Sequence, residues 1–463
     1  MAEPMNEERF WDSTPRLRHV RAFARAKQAG PWAALGCVLA RVSANVPPNI
    51  VIPAYVGAWQ GSLNCYVALV GKSGGGKGLA DGVGEALVPL ATGIKTQPAS
   101  GESIPSLFAR RVIDEGETKG RPTYHLECWN HSALLDVTEI STLGAAMSRQ
   151  GSTLLGTLTA AWSGETLGAR NKNDADTLEA PRYGYRLSLI AGVQPENARI
   201  LEREAATGLP QRFLWFDVLD RECPDADRLP APPAGEFGFD PERFKPYRPT
   251  PIDLNGLYQH GSANAYRDEN GTPLYMLHEL TYPDTARLWL KQDGVNRLRD
   301  TRAEDMDGHT PALLLTVAGL LALMEQRDEL LTVTEDDWRR AQYIVQRSQQ
   351  YRTQALADGR RGRRRASAQT KADDRLADVQ AAELIEAEYL GRAKRSVVNQ
   401  LERHDPKREG LAGSHIRQLL GRNGPRAYRA LTELYTEGKV DKIGPDDMET
   451  SATLWALAVT PPQ

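Results

Sequence analysis

The run 63–87, LNCYVALVGKSGGGKGLADGVGEAL, constrains this chain more than any other stretch. Residues 65–70 are short and unbroken in apolar character, the pattern of a strand buried on both faces of a parallel sheet. The strand stops at Gly71-Lys72-Ser73-Gly74-Gly75-Gly76-Lys77-Gly78, and the residues beyond read as a helix. Glycines there let successive backbone N–H groups turn inward around a phosphate. The helix aims its positive end at the same point, and Lys77 reaches the outer phosphates. The pattern predicts a nucleotide-binding loop over residues 71–78, with ATP as ligand. One ingredient is missing, because the Ser or Thr that would hold Mg²⁺ after the lysine is Gly78. Binding follows from the pattern; hydrolysis needs further residues.

A length of 463 residues allows about two to four domains. With 41% hydrophobic and 25% charged residues, general disorder is excluded. Residues 1–12 carry glutamates and no apolar core, unlike a signal peptide. The apolar runs 32–39 and 310–324 are too short to cross a bilayer and read as buried helices, so no membrane partner is expected. Cys37, Cys65, Cys128 and Cys223 stand far apart with no C-x-x-C pair, which suggests neither zinc nor disulfides and a cytoplasmic location.

An apolar strand over 132–137 ends in Asp136-Val137-Thr138-Glu139. Carboxylates delivered to the C-terminal end of such a strand can hold Mg²⁺ or orient an attacking water. Asp136 is the candidate metal ligand and Glu139 the candidate catalytic carboxylate. Glu102, in Ser100-Gly101-Glu102, is the rival for the second role. The buried strand 185–193 stops at Gln194, the candidate sensor of the terminal phosphate, with Asn197 as second choice. In Gly208-Leu209-Pro210-Gln211-Arg212-Phe213-Leu214, Arg212 precedes another apolar strand, where an arginine finger reaches a neighbour's nucleotide; a structural salt bridge is the alternative. In the polar loop 164–179, Arg170 and Lys172 either face DNA or lie on the surface.

Residues 15–30 form an amphipathic helix whose Arg16, Arg18, Arg21 and Arg25 either make a solvated face or touch nucleic acid. Eight prolines in 223–251 mark an extended arm, and helical periodicity over 282–356 predicts a lid or bundle. GRRGRRR at 359–365 reads as a basic linker, and residues 360–440 hold 18 Lys and Arg against 11 Asp and Glu. Helices at 372–403, 414–420 and 424–437, then alternating runs at 439–443 and 452–459, give the order of a winged helix. Its third helix would place Arg422, Arg426, Tyr428 and Arg429 in a DNA groove, with His415 and Arg417 on phosphates; a protein-binding module is the alternative.

The segments FWDSTP, GPWAALGCVLARV, SLNCYVALVGKSGGGKG, LLDVTEISTL, WSGETLG, YRLSLIAGVQPE and GLPQRFLWF together resemble the helicase-like P-loop ATPases of actinobacteria and their phages, which accompany primase-polymerase proteins. The resemblance covers about residues 8–219 and, more loosely, extends to about 356. It implies a RecA-like or AAA+-like core, a homo-oligomeric, hexameric ring, and a primase partner. It also implies phosphate binding by Lys77, catalysis by Glu139, sensing by Gln194 and action in trans by Arg212.

The expected architecture is α/β, a P-loop NTPase core with N-terminal helices, a helical lid and a C-terminal winged helix. Its parts are 1–60, 61–222, 223–358, a basic linker at 359–371, and 372–463. Two functions are consistent with it: a DNA-dependent ATPase of helicase type, or a nucleotide-gated DNA-binding initiator, loader or regulator with little turnover.

Overall fold

The computed structural model describes residues 5–114, 124–169, 178–203, 207–261, 263, 266–301, 308–444 and 449–459. Arg170 and Lys172 lie outside them. The chain divides into two compact units, Met1–Arg363 and Arg364–Gln463. The first unit joins what the sequence separates into helical region, core and lid, because one continuous hydrophobic cluster runs from Phe10 to Leu356.

That unit is built on a parallel sheet of β1 (Tyr66–Val70), β2 (Ile94–Thr96), β3 (Ser132–Val137), β4 (Arg186–Val193) and β5 (Phe213–Asp217). The spatial order is β5-β1-β4-β3-β2, with every neighbouring pair parallel. All residues of β1 and β4 are buried; in β4 this includes Arg186, which donates to the Val46, Pro47 and Ile50 carbonyls, and Ser188, which donates to Ser43 Oγ at 2.8 Å. Helix α1 (Pro31–Asn45) is buried along its whole length, packed on the sheet and on α2 (Lys77–Leu87). Two glycines permit this approach. A Cβ on Gly36 would stand 2.5 Å from the Phe216 ring, and one on Gly84 would stand 2.6 Å from Cys37. The 31–45 segment is therefore a layer of the core. Helix α3 (Thr310–Glu325) is likewise buried nearly throughout, as its composition predicts.

The arginines of the helix Pro15–Ala26 are neither a free basic face nor a nucleic-acid surface throughout. Arg16 donates to the carbonyls of Met324 and Gly238, Arg25 pairs with Asp220 at 2.7 Å, and Arg21 pairs with Asp12 at 2.9 Å.

Helix α4 (Glu335–His404) corrects the expected linker at 359–371. It starts at a capping box in which Thr334 Oγ1 accepts from the Asp337 amide at 3.2 Å and Asp337 Oδ2 accepts from the Thr334 amide at 2.9 Å. It then continues unbroken through GRRGRRR and ends at His404. Arg, Ala, Gln and Lys favour helix, and only Gly359 and Gly362 oppose it, at about 1 kcal/mol each. Gly359 also has a packing role, because a Cβ there would lie 2.1 Å from the Pro195 carbonyl oxygen. Arg363 donates to the Glu196 carbonyl at 3.2 Å and Arg360 pairs with Glu202, so this part of the basic run grips the segment after β4.

In the second unit, the end of α4 is followed by β6 (Leu411–Ala412), α5 (Gly413–Leu419), α6 (Ala427–Thr436), β7 (Val440–Ile443) and β8 (Leu454–Leu457). The antiparallel sheet has the order β6-β8-β7, and Leu390, Val397, Leu401, Ile416, Leu431 and Trp455 form the core. The helix expected from 424 begins at Ala427, because Pro425 sits in a 3₁₀ turn, Gly421–Arg426.

Candidate functional site

The loop after β1 takes its shape from its glycines. Gly71 donates to the Val193 carbonyl at 3.0 Å, and a Cβ on it would strike Val218 at 2.3 Å. Gly74 and Gly76 have φ of +71° and +97°, the left-handed region where glycine alone is unstrained. Gly76 is the N-cap of α2, so the first amides of that helix face the loop. The Lys77 ammonium closes the loop by donating to the Gly71 carbonyl at 3.0 Å and the Lys72 carbonyl at 3.1 Å.

The strand order puts β4 between β1 and β3, so Lys77 and Glu139 start two strand spacings apart. They meet because Gly192 presents no side chain between them: a Cβ there would lie 2.2 Å from the Thr138 carbonyl oxygen and 3.2 Å from Lys77 Cε. Lys77 Nζ is 3.3 Å from Glu139 Oε1. Gln194 Nε2 donates to the same oxygen at 3.2 Å, and Asn197 Nδ2 donates to Gln194 Oε1 at 3.4 Å. The two sensor candidates thus form one chain behind Glu139. Glu139 Oε2 is buried and has no hydrogen-bond partner among the described residues. A cleft of ≈ 490 Å³ at the C-terminal ends of the strands is lined by residues 74–79, Asp81, Asp136 and Glu139, and that volume suits a nucleotide.

The rival carboxylate is elsewhere. Glu102 accepts from the Thr153 hydroxyl at 2.6 Å, which holds it below the usual carboxylate range, and it does not line the cleft.

Asp136 lines the cleft as expected, but it is not an open ligand. Lys95 on β2 stands 3.2 Å from Asp136 Oδ2 and 2.9 Å from Asp81 Oδ2. Arg41 on α1, only 1% exposed, holds Asp81 Oδ1 at 3.0 Å and Glu85 at 3.1 Å. With Gly78 offering no hydroxyl, this donor set does not fit the Mg²⁺ arrangement the motif leads one to expect. Lys95 escapes sequence reasoning because one lysine in a short strand has no spacing signature; its role comes from the pairing of β2 with β3.

Arg212 departs most from expectation. It precedes β5 and lies at the N-terminal edge of the sheet, opposite the cleft, where it is only 8% exposed. Its guanidinium stacks over Trp162 at 5.5 Å and donates to the Thr207 carbonyl at 3.3 Å, while burial lowers its pKa. Within its own chain Arg212 is therefore a π-stacked arginine, and it lines a second cleft with Trp162, Glu165 and His309.

Of the residues expected on DNA, His415, Arg417, Arg422 and Arg429 are exposed. Arg429 also pairs with Glu433 at 3.2 Å, and Arg417 stacks over Tyr428 at 5.5 Å. Arg426 is half-buried and already partnered: it is bound to Glu386 at 2.5 Å and stacked on Tyr389 at 4.7 Å. Counted over 364–463, this unit has 16 Lys and Arg against 15 Asp and Glu, a net of +1. The basic excess seen in the sequence therefore resides largely in the run at 360–365, part of which is tied to the first unit.

No protein-family model matches the chain. No curated protein matches it in sequence. Among solved structures it is similar to one described as "SCCmec type IV Cch - active helicase", with a TM-score of 0.20 and 10% identity, covering 91% of this chain and 67% of that one. That likeness is too slight to bear on fold or activity. No helix among the described residues is long and apolar enough to cross a membrane.

Proposed function

We propose that this chain is a P-loop nucleoside triphosphatase that works on DNA. The convergence of Lys77 and the half-unpaired Glu139 in one cleft at the mouth of a left-handed glycine loop, with Gln194 holding Glu139 from behind, carries this reading. The loop amides and the α2 N-terminus bind the phosphates, and Lys77 exchanges the Gly71 and Lys72 carbonyls for the outer phosphate oxygens. Glu139 Oε2, lacking a partner, accepts a hydrogen bond from the attacking water. Gln194 keeps Glu139 aimed and connects it, through the segment after β4, to Arg363 in the middle of α4.

The second unit is read as a winged helix, supported by its order of helices and its β6-β8-β7 sheet. Its DNA contacts would come from His415, Arg417, Arg422 and Arg429. A ring of identical subunits, helicase action and a primase partner are the finer part of the proposal and rest on the sequence resemblance. Action in trans by Arg212 within that ring rests on the same resemblance.

A second reading, a nucleotide-gated DNA-binding protein with little turnover, is favoured by Gly78 and by the Lys95–Asp136 ion pair. Phosphate release measured with and without single-stranded DNA separates the two. A DNA-stimulated rate belongs to the first, and nucleotide-dependent DNA affinity without turnover to the second.

A further inference from the structure

The acidic corner of the cleft has an unusual arrangement of charge. Asp81 and Asp136 reach it from α2 and β3, and both are claimed by one ammonium, Lys95 Nζ, at 2.9 Å and 3.2 Å. Glu85 stands farther off at 3.6 Å, and Arg41 holds Asp81 and Glu85 from behind. A lysine has three N–H donors. Two point at Asp81 and Asp136; the third has only Glu85, at 3.6 Å and beyond hydrogen-bond distance, and so is left for an incoming acceptor. Lys95 is 32% exposed, so it can be approached. Burial works against its charge, but Asp81 and then Asp136 outweigh burial and raise its pKa, so the ammonium stays charged.

A triphosphate entering a cleft that already holds Asp81, Asp136 and Glu139 needs cations beyond Lys77. In a P-loop site the second cation is a divalent ion held by the hydroxyl after the lysine and by a strand-end carboxylate. Here the hydroxyl is absent at Gly78, and the carboxylate is neutralised by Lys95. Building on the nucleotide reading above, we propose that Lys95 takes the place of the divalent cation, so that the site binds a nucleoside triphosphate without Mg²⁺. Asp81 and Asp136 then position Lys95, whose free N–H donates to the phosphate oxygen that a metal would otherwise take.

The test is ATP affinity, measured by calorimetry on the full chain in excess EDTA and again in Mg²⁺. The wild type should bind in both, with affinities within about threefold. Lys95→Met keeps the stem and removes the charge. It should lose about tenfold or more of the affinity in EDTA, the scale of one hydrogen bond to a charged group. It should also gain a Mn²⁺ site, detected by electron paramagnetic resonance with Mn²⁺ alone, because Asp81 and Asp136 are uncovered. If ATP binds the wild type only in Mg²⁺, or if Lys95→Met retains the EDTA affinity, this inference is overturned while the nucleotide reading stands. Binding in neither condition overturns both. The wild-type comparison needs no variant and decides the matter even if Lys95→Met does not fold.

Discussion

Glu139→Gln is the most informative single perturbation. The amide is isosteric, so its oxygen can still accept from Gln194 Nε2, now 3.2 Å from Glu139 Oε1, and local geometry is preserved. Two things change. First, the Oε2 position, unpartnered in the structure, becomes an amide nitrogen that cannot accept a proton from water. Loss of a general base costs about 10²–10⁴ in rate, or roughly 3–5 kcal/mol of barrier. Second, Lys77 loses the carboxylate 3.3 Å from its Nζ. With Glu139 31% exposed, that attraction is screened to about 1 kcal/mol, so freeing Lys77 for phosphate should raise nucleotide affinity by at most about fivefold. The expected signature is therefore split: turnover collapses while binding holds or tightens. Steady-state phosphate release and equilibrium binding of a fluorescent ATP analogue, run on the same preparation, read both. Turnover within threefold of wild type, or affinity and turnover falling together, would refute the assignment. Glu102→Gln provides the control and should leave turnover unchanged, since Glu102 is spent on Thr153.

Lys77→Ala should abolish ATP binding while circular dichroism stays native, because Lys77 contributes to the fold only loop-closing contacts and a screened ion pair with Glu139; retained affinity would remove the glycine loop from the site. Gly78→Ser should be accepted without strain, as its φ is ordinary and a Cβ there meets nothing within 4 Å. The restored hydroxyl should preserve or raise turnover in Mg²⁺, and a large loss measured by phosphate release would contradict that. His131, beside β3, is pushed down to about 4 by burial and by Arg248 and Arg186. The folded state therefore resists a proton that the unfolded chain accepts below about 6.5, and stability should fall by about 2–3 kcal/mol between pH 6.5 and pH 4. Urea midpoints across that range should show the slope, His131→Asn should flatten it, and an unchanged slope would count against the burial.

The local elements were legible in the residues alone, because backbone conformation answers to local chemistry. A short apolar run bounded by glycine or polar residues is long enough for a strand and too short for a core helix, and β1, β3 and β5 appear where such runs stand. Left-handed turns at Gly74 and Gly76 follow from glycine's missing Cβ, and the α4 start follows from the reciprocal bonds of Thr334 and Asp337. Glu139 and Gln194 are legible as candidates because each follows one of these strands, and Lys77 because it opens the helix after the glycine loop. Partnerships between elements distant in sequence depended on packing. Lys95 reaches Asp136 only because β2 pairs with β3, Arg41 reaches Asp81 only because Gly84 lets α2 lie on α1, and Lys77 meets Glu139 only across Gly192. The same holds for charge. GRRGRRR reads as a free basic linker until the Pro195 carbonyl comes within reach of Gly359, and nothing in the run around Arg212 announces its stacking on Trp162. A side chain's partners are set by which surfaces the chain buries together, and that is a property of the assembled core, which no single segment carries.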